Sequence, residues 1–391
     1  MQVGETNETF RWRDLTYTLL ERNHQKPRVD LPEDLKFGEY FTDHMLMVTH
    51  SAVGGGRWSA PRIRPLEAVP MHPGSQVLHY GMSCFEGMKA YRGPDGHVRL
   101  FRPDINVKRL LRSAQRLNLP AFCPDELLEC IKSLVRTDAR WVPDSVGKSL
   151  YIRPVLYSSS SILGVSSPIE STLSVVLSPT GSYFSSATLQ PVDMFVDEVH
   201  TRAWPGGAGD VKIGGNYAPT IFPQALASKY FGSHQVVYTF NPQRHLGQKD
   251  AHAHDCLTEF EECGAMNIFF VFDKGQGVCE LATPGLRGTI LPGVTRASII
   301  ELAGMKTDSM RVSERSITLQ EVDEAHQQSR LLEIFACGTA SLVQPIGSLT
   351  RANGDRWIPK HVVGPCTRDM YSQLVRIQHG LVNHPWSTII Q

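Results

Sequence analysis

A lysine surrounded by glycines is the most unusual chemical feature of this sequence. Lys212 lies in the stretch Trp204-Pro-Gly-Gly-Ala-Gly-Asp-Val-Lys-Ile-Gly-Gly-Asn-Tyr217. Glycine lets the backbone and a ligand approach each other closely, and a lysine held away from water there becomes a usable amine nucleophile. The other interpretation is an exposed lysine on a flexible loop, and the local sequence fits both equally well.

Three further places could bind an anion such as phosphate. Arg102 follows a predicted strand over 97–101 and could place its guanidinium over a phosphate, although a lone arginine there is more often a surface salt-bridge partner. Leu291-Pro-Gly-Val-Thr-Arg296 opens a predicted helix, so its free N–H groups and the Thr295 hydroxyl form either an anion site or a plain helix start. Gly338-Thr339-Ala340 offers similar N–H groups, or is an ordinary turn.

Two pairs of polar residues could contact a cofactor or a substrate. Glu261 and Glu262 lead into a predicted buried strand, where a carboxylate must be paired or must serve a function; the alternative is a solvated edge. Tyr151 and Arg153 lie two apart on a predicted strand and therefore share one face. A phenol beside a guanidinium suits a carboxylate-binding wall, and a purely structural Arg–Tyr stack fits the pattern as well.

A group of histidines invites a metal-site interpretation. His245, His252, His254 and Asp255 lie close together, but Gln, Lys, Asp and Ala surround them and no predicted strand or helix fixes a ligand geometry. We therefore predict no metal here. Residues 241–257 are interpreted as a polar, solvated loop that contributes little to the core.

Composition limits the class of protein. The 391 residues include 41% hydrophobic and 20% charged ones, as in globular proteins, and this length favours two domains. Basic and acidic residues number 39 each, so no bulk positive charge exists to bind nucleic acid or a membrane surface, and a small-molecule partner is expected. The 8 scattered cysteines form no CxxC pair and indicate reduced, intracellular thiols. With no signal-peptide pattern and an acidic N-terminal stretch, a cytoplasmic location is predicted, and a mitochondrial one stays open.

The elements that must position these residues fall into two groups. Residues 1–35 are predicted to be an extended arm at the start of a small N-terminal α+β domain, 1–185, and residues 182–189 suit a domain link. The N-terminal domain has predicted strands over 40–48, 76–78, 97–101, 149–157 and 172–177, and helices, the first capped by Asp104, over 107–117 and 127–135. The larger C-terminal domain, 186–391, has predicted strands near 192–196, 236–240, 266–272 and 332–336, and helices near 219–230, 294–303 and 367–381.

Nine stretches, taken together, resemble the branched-chain amino acid aminotransferases, which are fold-type-IV pyridoxal-phosphate enzymes. Each stretch is weak alone, but they run in the family's order from about residue 36 towards the C-terminus. They are Phe37-Gly…Phe41-Thr-Asp-His-Met, His79-Tyr80…Phe85-Glu-Gly-Met-Lys-Ala, Leu100-Phe-Arg102-Pro, Leu150-Tyr-Ile-Arg153-Pro, Arg202-Ala-Trp-Pro-Gly-Gly, Lys212-Ile-Gly-Gly-Asn-Tyr217-Ala-Pro-Thr, Glu262-Cys-Gly-Ala-Met-Asn, Ile290-Leu-Pro-Gly-Val-Thr295-Arg and Gly338-Thr339-Ala340. The resemblance implies an α+β fold of two mixed domains, similar to D-amino acid aminotransferase, with the active site between them.

The resemblance also implies which residues bind the cofactor, pyridoxal 5′-phosphate. Lys212 would hold it covalently and then move the proton between the substrate Cα and the cofactor C4′. Glu262 would bond the pyridine nitrogen and keep the ring an electron sink, and Tyr217 would bond the ring oxygen O3′. The phosphate would be held by Arg102, the amides of Val294 and Thr295, and Thr339.

The substrate contacts follow from the same resemblance. Phe37, Tyr80, Phe85 and Tyr151 would form pocket walls, and Arg153 with the amides of Thr339 and Ala340 would take substrate carboxylates. Leu163-Gly-Val165 resembles a segment that reaches into the partner subunit's site, which implies a homodimer.

The activity that this resemblance implies is transamination between L-leucine, L-isoleucine or L-valine and 2-oxoglutarate, which gives branched-chain 2-oxo acids and glutamate. A D-amino acid aminotransferase or a lyase of the same fold is the nearest alternative, and a non-catalytic interaction protein is another. The sequence departs from the family in a longer polar link over 241–260, which leaves Glu261 as an alternative to Glu262, and in Ala265, where some members have threonine. A redox CxxC of some members would fall on Ser341 and Gln344, so no thiol switch is expected there.

Overall fold

The computed structural model describes residues 9–26, 35–181, 189–243, 255–306 and 308–390. They form two compact units, each described here by itself. The first comprises Met1–Ser185, Val211–Gly215 and Val375–Gln391, and the second comprises Ser186–Asp210 and Asn216–Leu374. The histidines at 245, 252 and 254 and most of the predicted link over 182–189 lie outside the described residues. The predicted division after residue 185 remains a prediction.

The first unit is built on a ten-stranded sheet that is mainly antiparallel. Its strands follow the order β1-β4-β2-β9-β8-β6-β7-β19, with β3 paired to β2 and β5 paired to β8. They are β1 (Thr16–Tyr17), β2 (His44–Ser51), β3 (Arg57–Trp58), β4 (Arg62–Pro65), β5 (Ser83–Phe85), β6 (Met88–Arg92), β7 (Val98–Phe101), β8 (Ser149–Ser158), β9 (Glu170–Thr180) and, near the C-terminus, β19 (Ser387–Ile389).

Among the described residues, the α-helices that lie wholly in the first unit are α1 (Gln76–Tyr80), α2 (Pro103–Arg116) and α3 (Pro124–Thr137). The predicted helices correspond to α2 and α3, both of which begin with a proline at the first turn, where its missing N–H costs no bond. The predicted strand over 76–78 is wrong, because these residues form α1, which ends at a left-handed Gly81. The predicted cap Asp104 is also wrong: α2 starts one residue earlier, and Asp104 lies within its first turn.

The described part of the N-terminal arm is anchored to the first unit. Phe10 is 3% exposed and packs against the rings of Trp58 and Phe122. Trp12 donates through its indole N–H to Ser133 Oγ at 2.9 Å. The arm is extended in strand β1 but forms 3-10 turns at Trp12–Asp14 and Arg22–His24, so the prediction of an extended arm is wrong at those turns.

The second unit contains a nine-stranded mixed sheet in the order β12-β11-β10-β17-β16-β13-β14-β15, with β18 paired to β17. Its strands are β10 (Val192–Asp197), β11 (Gln235–Phe240), β12 (Glu259–Cys263), β13 (Asn267–Asp273), β14 (Cys279–Thr283), β15 (Met310–Glu314), β16 (Leu331–Gly338), β17 (Leu342–Thr350) and β18 (Arg356–Trp357). Its helices are α4 (Ile221–Phe231), α5 (Val294–Gly304), α6 (Leu319–Gln327) and α7 (Pro365–Gln378), the last of which starts in this unit. Sheets and separate helices together confirm the predicted α+β class.

The core of the second unit centres on β13, whose Ile268, Phe269, Phe270, Val271 and Phe272 are all buried. A strand that is apolar on both faces must be covered on both faces. The strand that precedes β13 in the chain, β12, carries Glu261 and Glu262, and its first two residues were predicted to belong to the polar link over 241–260. Among the described residues, no helix is long and apolar enough to span a bilayer.

The end of the 241–257 stretch is anchored, which the sequence did not predict. Asp255 makes a bidentate ion pair with Arg351, at 2.8 Å for both bonds. Arg351 also forms a bidentate pair with Glu198 and lies over the ring of Trp357. The interpretation of residues 241–257 as a solvated loop is therefore wrong at Asp255.

Candidate active site

Lys212 is held by its backbone between a strand and a helix of the first unit. Its carbonyl accepts from the N–H of Phe85 at 3.0 Å, and its own N–H donates to Ser113 Oγ on α2 at 2.9 Å. Next to it, Ile213 pairs with Cys84. A Cβ at Gly214 would come within 2.9 Å of Ser83 Oγ, so this close approach requires a glycine. The glycine-rich stretch is thus bonded in place.

The side chain of Lys212 lies beside Phe85, which belongs to a chain of four predicted substrate residues in mutual contact. Its Nζ is 4.8 Å from the centre of the Phe85 ring, and the Arg153 guanidinium is 5.0 Å from the same ring. Arg153 Nη2 donates to Tyr151 Oη at 3.0 Å, and Phe37 meets Tyr151 edge to face at 4.7 Å. An amine, a guanidinium and a phenol therefore surround an aromatic wall within one unit.

The remaining predicted substrate residues of the first unit form a second group. The Tyr80 hydroxyl donates to the carbonyl of Leu163. Leu163 and Val165 are 68% and 81% exposed, which is unusual for aliphatic side chains.

Arg102 occupies a strained backbone position. It immediately precedes α2 with a φ of 45°, in the left-handed region that is costly for residues other than glycine. Its N–H donates to the carbonyl of Trp386 at 2.8 Å, and its guanidinium lies 4.3 Å from the centre of that indole ring. The stacking partner Trp386 is far away in sequence, and no signal around Arg102 indicated it.

Glu262, in the second unit, has a set of donors that complement a negative charge. Its side chain and that of Arg202 are each 3% exposed and meet at 2.6 Å. The Leu291 N–H and the Asn267 side-chain amide donate to the same carboxylate at 3.0 Å and 3.2 Å. A buried carboxylate needs such partners.

Glu261 has a different environment. Its carboxylate accepts from Thr289 Oγ1 at 2.8 Å. Burial raises the pKa of Glu261 to about 7, and the neighbouring charge of Glu262 acts in the same direction. The structure thus gives different surroundings to the two carboxylates, of which the sequence favoured Glu262 and left Glu261 as the alternative.

The start of α5 offers buried N–H groups. Val294 and Thr295 are its first two residues, each is 5% exposed, and no side chain caps the helix at Gly293. The N–H groups of a helix's first turn have no partner within the helix. A Cβ at Gly293 would lie 2.1 Å from Asn267 Oδ1, so the helix start is beside the residue that binds Glu262.

The turn at Gly338-Thr339-Ala340 is next to the same residues. It connects β16 and β17, where Gly338 pairs with Leu342, and Cys337 pairs with Asn267 across the sheet. Leu342 has a φ of 61°, which is strained for a bulky residue. The structure therefore brings Glu262, the start of α5 and this turn together at one end of β13.

Tyr217 belongs to the second unit and precedes a single helical turn. Its carbonyl accepts from the N–H and the hydroxyl of Thr220, at 3.0 Å and 2.7 Å. Four residues with contacts described above, Arg202, Asn267, Trp386 and Ser113, received no role from the sequence. Arg202 and Asn267 stand in quoted motifs, which were the available signal.

The donor set fits pyridoxal 5′-phosphate. A buried, uncapped helix start can receive a phosphate dianion, and a buried carboxylate with charge-complementing donors can face a ring nitrogen. A lysine on an aromatic wall supplies the amine that this aldehyde requires.

Comparisons with known proteins point to one family of aminotransferases. A profile of the amino-transferase class IV family matches residues 234–349. The chain is 42% identical to the mitochondrial branched-chain-amino-acid aminotransferase of Bos taurus, over 97% of this chain and 92% of the relative. It is 41% identical to the cytosolic one of Ovis aries, over 99% and 95%. The crystal structure of a branched-chain amino acid aminotransferase from Thermobaculum terrenum in its PLP form is similar, with a TM-score of 0.65, 22% identity and coverage of 90% of this chain and 99% of that one.

Proposed function

The chain belongs to the branched-chain amino acid aminotransferase family, and from that membership we propose that it exchanges an amino group between L-leucine, L-isoleucine or L-valine and 2-oxoglutarate. The products are branched-chain 2-oxo acids and glutamate. Bound pyridoxal 5′-phosphate would supply the electron-withdrawing ring that makes the substrate Cα–H bond acidic.

One observation in particular supports this proposal. The amine of Lys212 and the guanidinium of Arg153 lie against the same Phe85 ring, at 4.8 Å and 5.0 Å. A proton-transferring amine near a carboxylate-binding cation suits a substrate such as glutamate, whose Cα must meet the amine while its side-chain carboxylate meets the cation. The surrounding aromatic rings of Phe37 and Tyr151 offer an apolar surface for branched side chains.

In this proposal Lys212 takes the proton from the substrate Cα and delivers it at C4′. Arg153 and Tyr151, joined by a hydrogen bond, receive a carboxylate. The apolar wall discriminates among side chains by about 1–3 kcal/mol for each methylene group. The side-chain carboxylate of glutamate uses the Arg153–Tyr151 pair instead, so that two dissimilar substrates share one site in successive half-reactions.

We assign the cofactor contacts as the resemblance implies. Glu262 bonds the ring nitrogen, Tyr217 the ring oxygen, and Arg102 with the Val294 and Thr295 amides and Thr339 the phosphate. The Ala340 amide joins Thr339 in receiving a substrate carboxylate. The strained backbone at Arg102 and Leu342 supports this assignment, because such strain concentrates at ligand sites.

Family membership does not favour the alternative functions, a D-amino acid aminotransferase, a lyase or a non-catalytic protein. The test is amino-donor profiling: the initial rate of glutamate formation from 2-oxoglutarate with each L-amino acid and its D-enantiomer. We expect L-leucine, L-isoleucine and L-valine to exceed L-alanine and all D-donors by at least about tenfold. Preferred use of D-donors, or release of ammonia in place of glutamate, would overturn the proposal.

The assembly and the compartment are also proposals. A homodimer is supported by the exposed aliphatic side chains of Leu163 and Val165. A cytosolic location is proposed on the sequence pattern, and the compared relatives carry both cytosolic and mitochondrial names.

A further inference from the structure

A buried carboxylate, that of Glu86, follows directly in the chain on Phe85, whose ring contacts the Lys212 side chain. Glu86 follows β5 and is completely buried. Arg109 on α2 donates to both of its oxygens, at 2.5 Å and 2.9 Å, and the Asn106 side chain adds a bond of 2.9 Å. The Gly87 N–H donates at 3.0 Å. Such a complete donor set holds the carboxylate in one position.

The same elements hold Lys212. Phe85, adjacent to Glu86, bonds the Lys212 carbonyl and carries the ring beside its ammonium. Ser113, one turn after Arg109 on α2, accepts from the Lys212 N–H and donates to the Arg109 carbonyl at 3.0 Å. Burial raises the pKa of Glu86, but the charges of Arg109 and Lys212, together with the hydrogen bonds, outweigh it and leave that pKa below its usual value.

We propose that Glu86 is a positioning residue for Lys212. The negative charge of Glu86 stabilises the ammonium form of the lysine, and Arg109 and Asn106 keep Glu86 in place. This inference rests on the proposed role of Lys212. A lysine that removes a proton from substrate carbon must hold it before returning it, and a fixed carboxylate nearby stabilises that charged state.

Other groups of the same unit near Lys212 bear on its charge. Arg109 and Arg153 are cations that oppose the ammonium form, and Lys89 lies directly opposite Tyr151 across the sheet. Burial raises the pKa of the Cys84 thiol to about 12, so it stays neutral. Glu86 is therefore the negative charge that offsets these cations and favours the ammonium form of Lys212.

The test measures the protonation of Lys212 directly in the full chain without bound cofactor. Acetic anhydride labels only the free amine, and mass spectrometry of the Lys212 peptide gives the pH midpoint of labelling. In Glu86→Gln we expect the midpoint to fall by about one pH unit. In Arg109→Gln the midpoint rises, because a cation that opposes the ammonium is removed while the Asn106 side chain and the Gly87 N–H still hold Glu86. The control Glu333→Gln, a buried carboxylate that bonds the start of α7, leaves the midpoint unchanged.

Shifts of the two midpoints in opposite directions would support the inference. Shifts in the same direction would indicate a merely structural role and would overturn it. If one variant fails to fold, the other decides alone. An unchanged or raised midpoint in Glu86→Gln, or an unchanged or lowered midpoint in Arg109→Gln, contradicts the proposal. Labelling requires neither cofactor nor turnover, so its outcome is independent of donor profiling.

Discussion

At the scale of single residues, Glu261 and Glu262 show how environment separates neighbours of identical chemistry. Glu262 meets a guanidinium and two N–H donors, and Glu261 meets a single hydroxyl. Because a neutral amide cannot stabilise a charged ring nitrogen, we expect Glu262→Gln to lower kcat by about 100-fold or more. Glu261→Gln should change kcat by less than about threefold. Steady-state kinetics of the two variants measures this, and the reverse order would mean that Glu261 faces the cofactor.

Glu261 also has a consequence for stability. Its pKa is raised from 4.5 to about 7, so the folded chain binds this proton more tightly than the unfolded chain. The contribution of neutral Glu261 to the free energy of unfolding is fully present below pH 4.5 and is lost as the pH rises to about 7. Glu261→Gln should therefore stabilise the protein by about 1–3 kcal/mol at pH 8, and hardly at pH 4.5.

Thermal unfolding of both proteins at the two pH values checks this. A difference in Tm that is equal at pH 4.5 and pH 8 would show that Glu261 titrates normally.

The sequence could predict residues whose roles are carried by a local motif. Lys212 and Glu262 stand in contiguous stretches with many matching neighbours. Arg202 and Trp386 act through partners far away in the chain, so only the folded backbone shows what they contact. Glu86 stands in one of the nine matching stretches, but its ion pair with Arg109 depends on how α2 packs against β5.

At the scale of elements, periodicity predicted the long helices and the apolar strands. It failed where an element is short or polar: residues 76–80 are apolar enough for a strand but form one helical turn. Strand β12 contains Glu259, Glu261 and Glu262. Because strands were predicted from the spacing of apolar residues, this polar strand was not predicted.

The ion pair between Asp255 and Arg351 makes an element-scale prediction. Asp255→Asn would remove a charged partner from a largely buried arginine, which costs about 1–3 kcal/mol. We expect Tm to fall by about 3–8 °C. The control is Glu259→Gln, whose partner Arg287 lies 3.4 Å away and is mostly exposed, and which should change Tm by less than about 1 °C.

Equal effects of the Asp255 and Glu259 variants on Tm would show that Asp255 is no anchor.

A second prediction concerns the rest of this stretch. Shortening the chain only within 244–254, with Asp255 kept, should leave turnover unchanged.

At the scale of the whole molecule, the chain does not fold as two consecutive halves. Val211–Gly215, with Lys212, belongs to the first unit although the residues on both sides belong to the second. No composition shift marks this segment, so the sequence carried no signal that Lys212 and Glu262 lie in different compact units.

The proposed homodimer gives a prediction on this scale. The chain mass is 43.5 kDa, so light scattering after size exclusion should give a mass near twice that value at micromolar concentration. Leu163→Asp should shift the population towards the monomer, because it places a charge in the proposed apolar contact. A wild-type protein that is monomeric at these concentrations would contradict the proposal.

Whether Lys212 carries the cofactor is the central question, and one measurement addresses it most directly. The protein loaded with pyridoxal 5′-phosphate is reduced with borohydride, digested and analysed by mass spectrometry. We predict a stoichiometric phosphopyridoxyl group on Lys212 and none in Lys212→Ala. Burial lowers the pKa of Lys89 to about 8, which makes it the competing amine. Modification of Lys89 in place of Lys212, or of no lysine, would contradict the account.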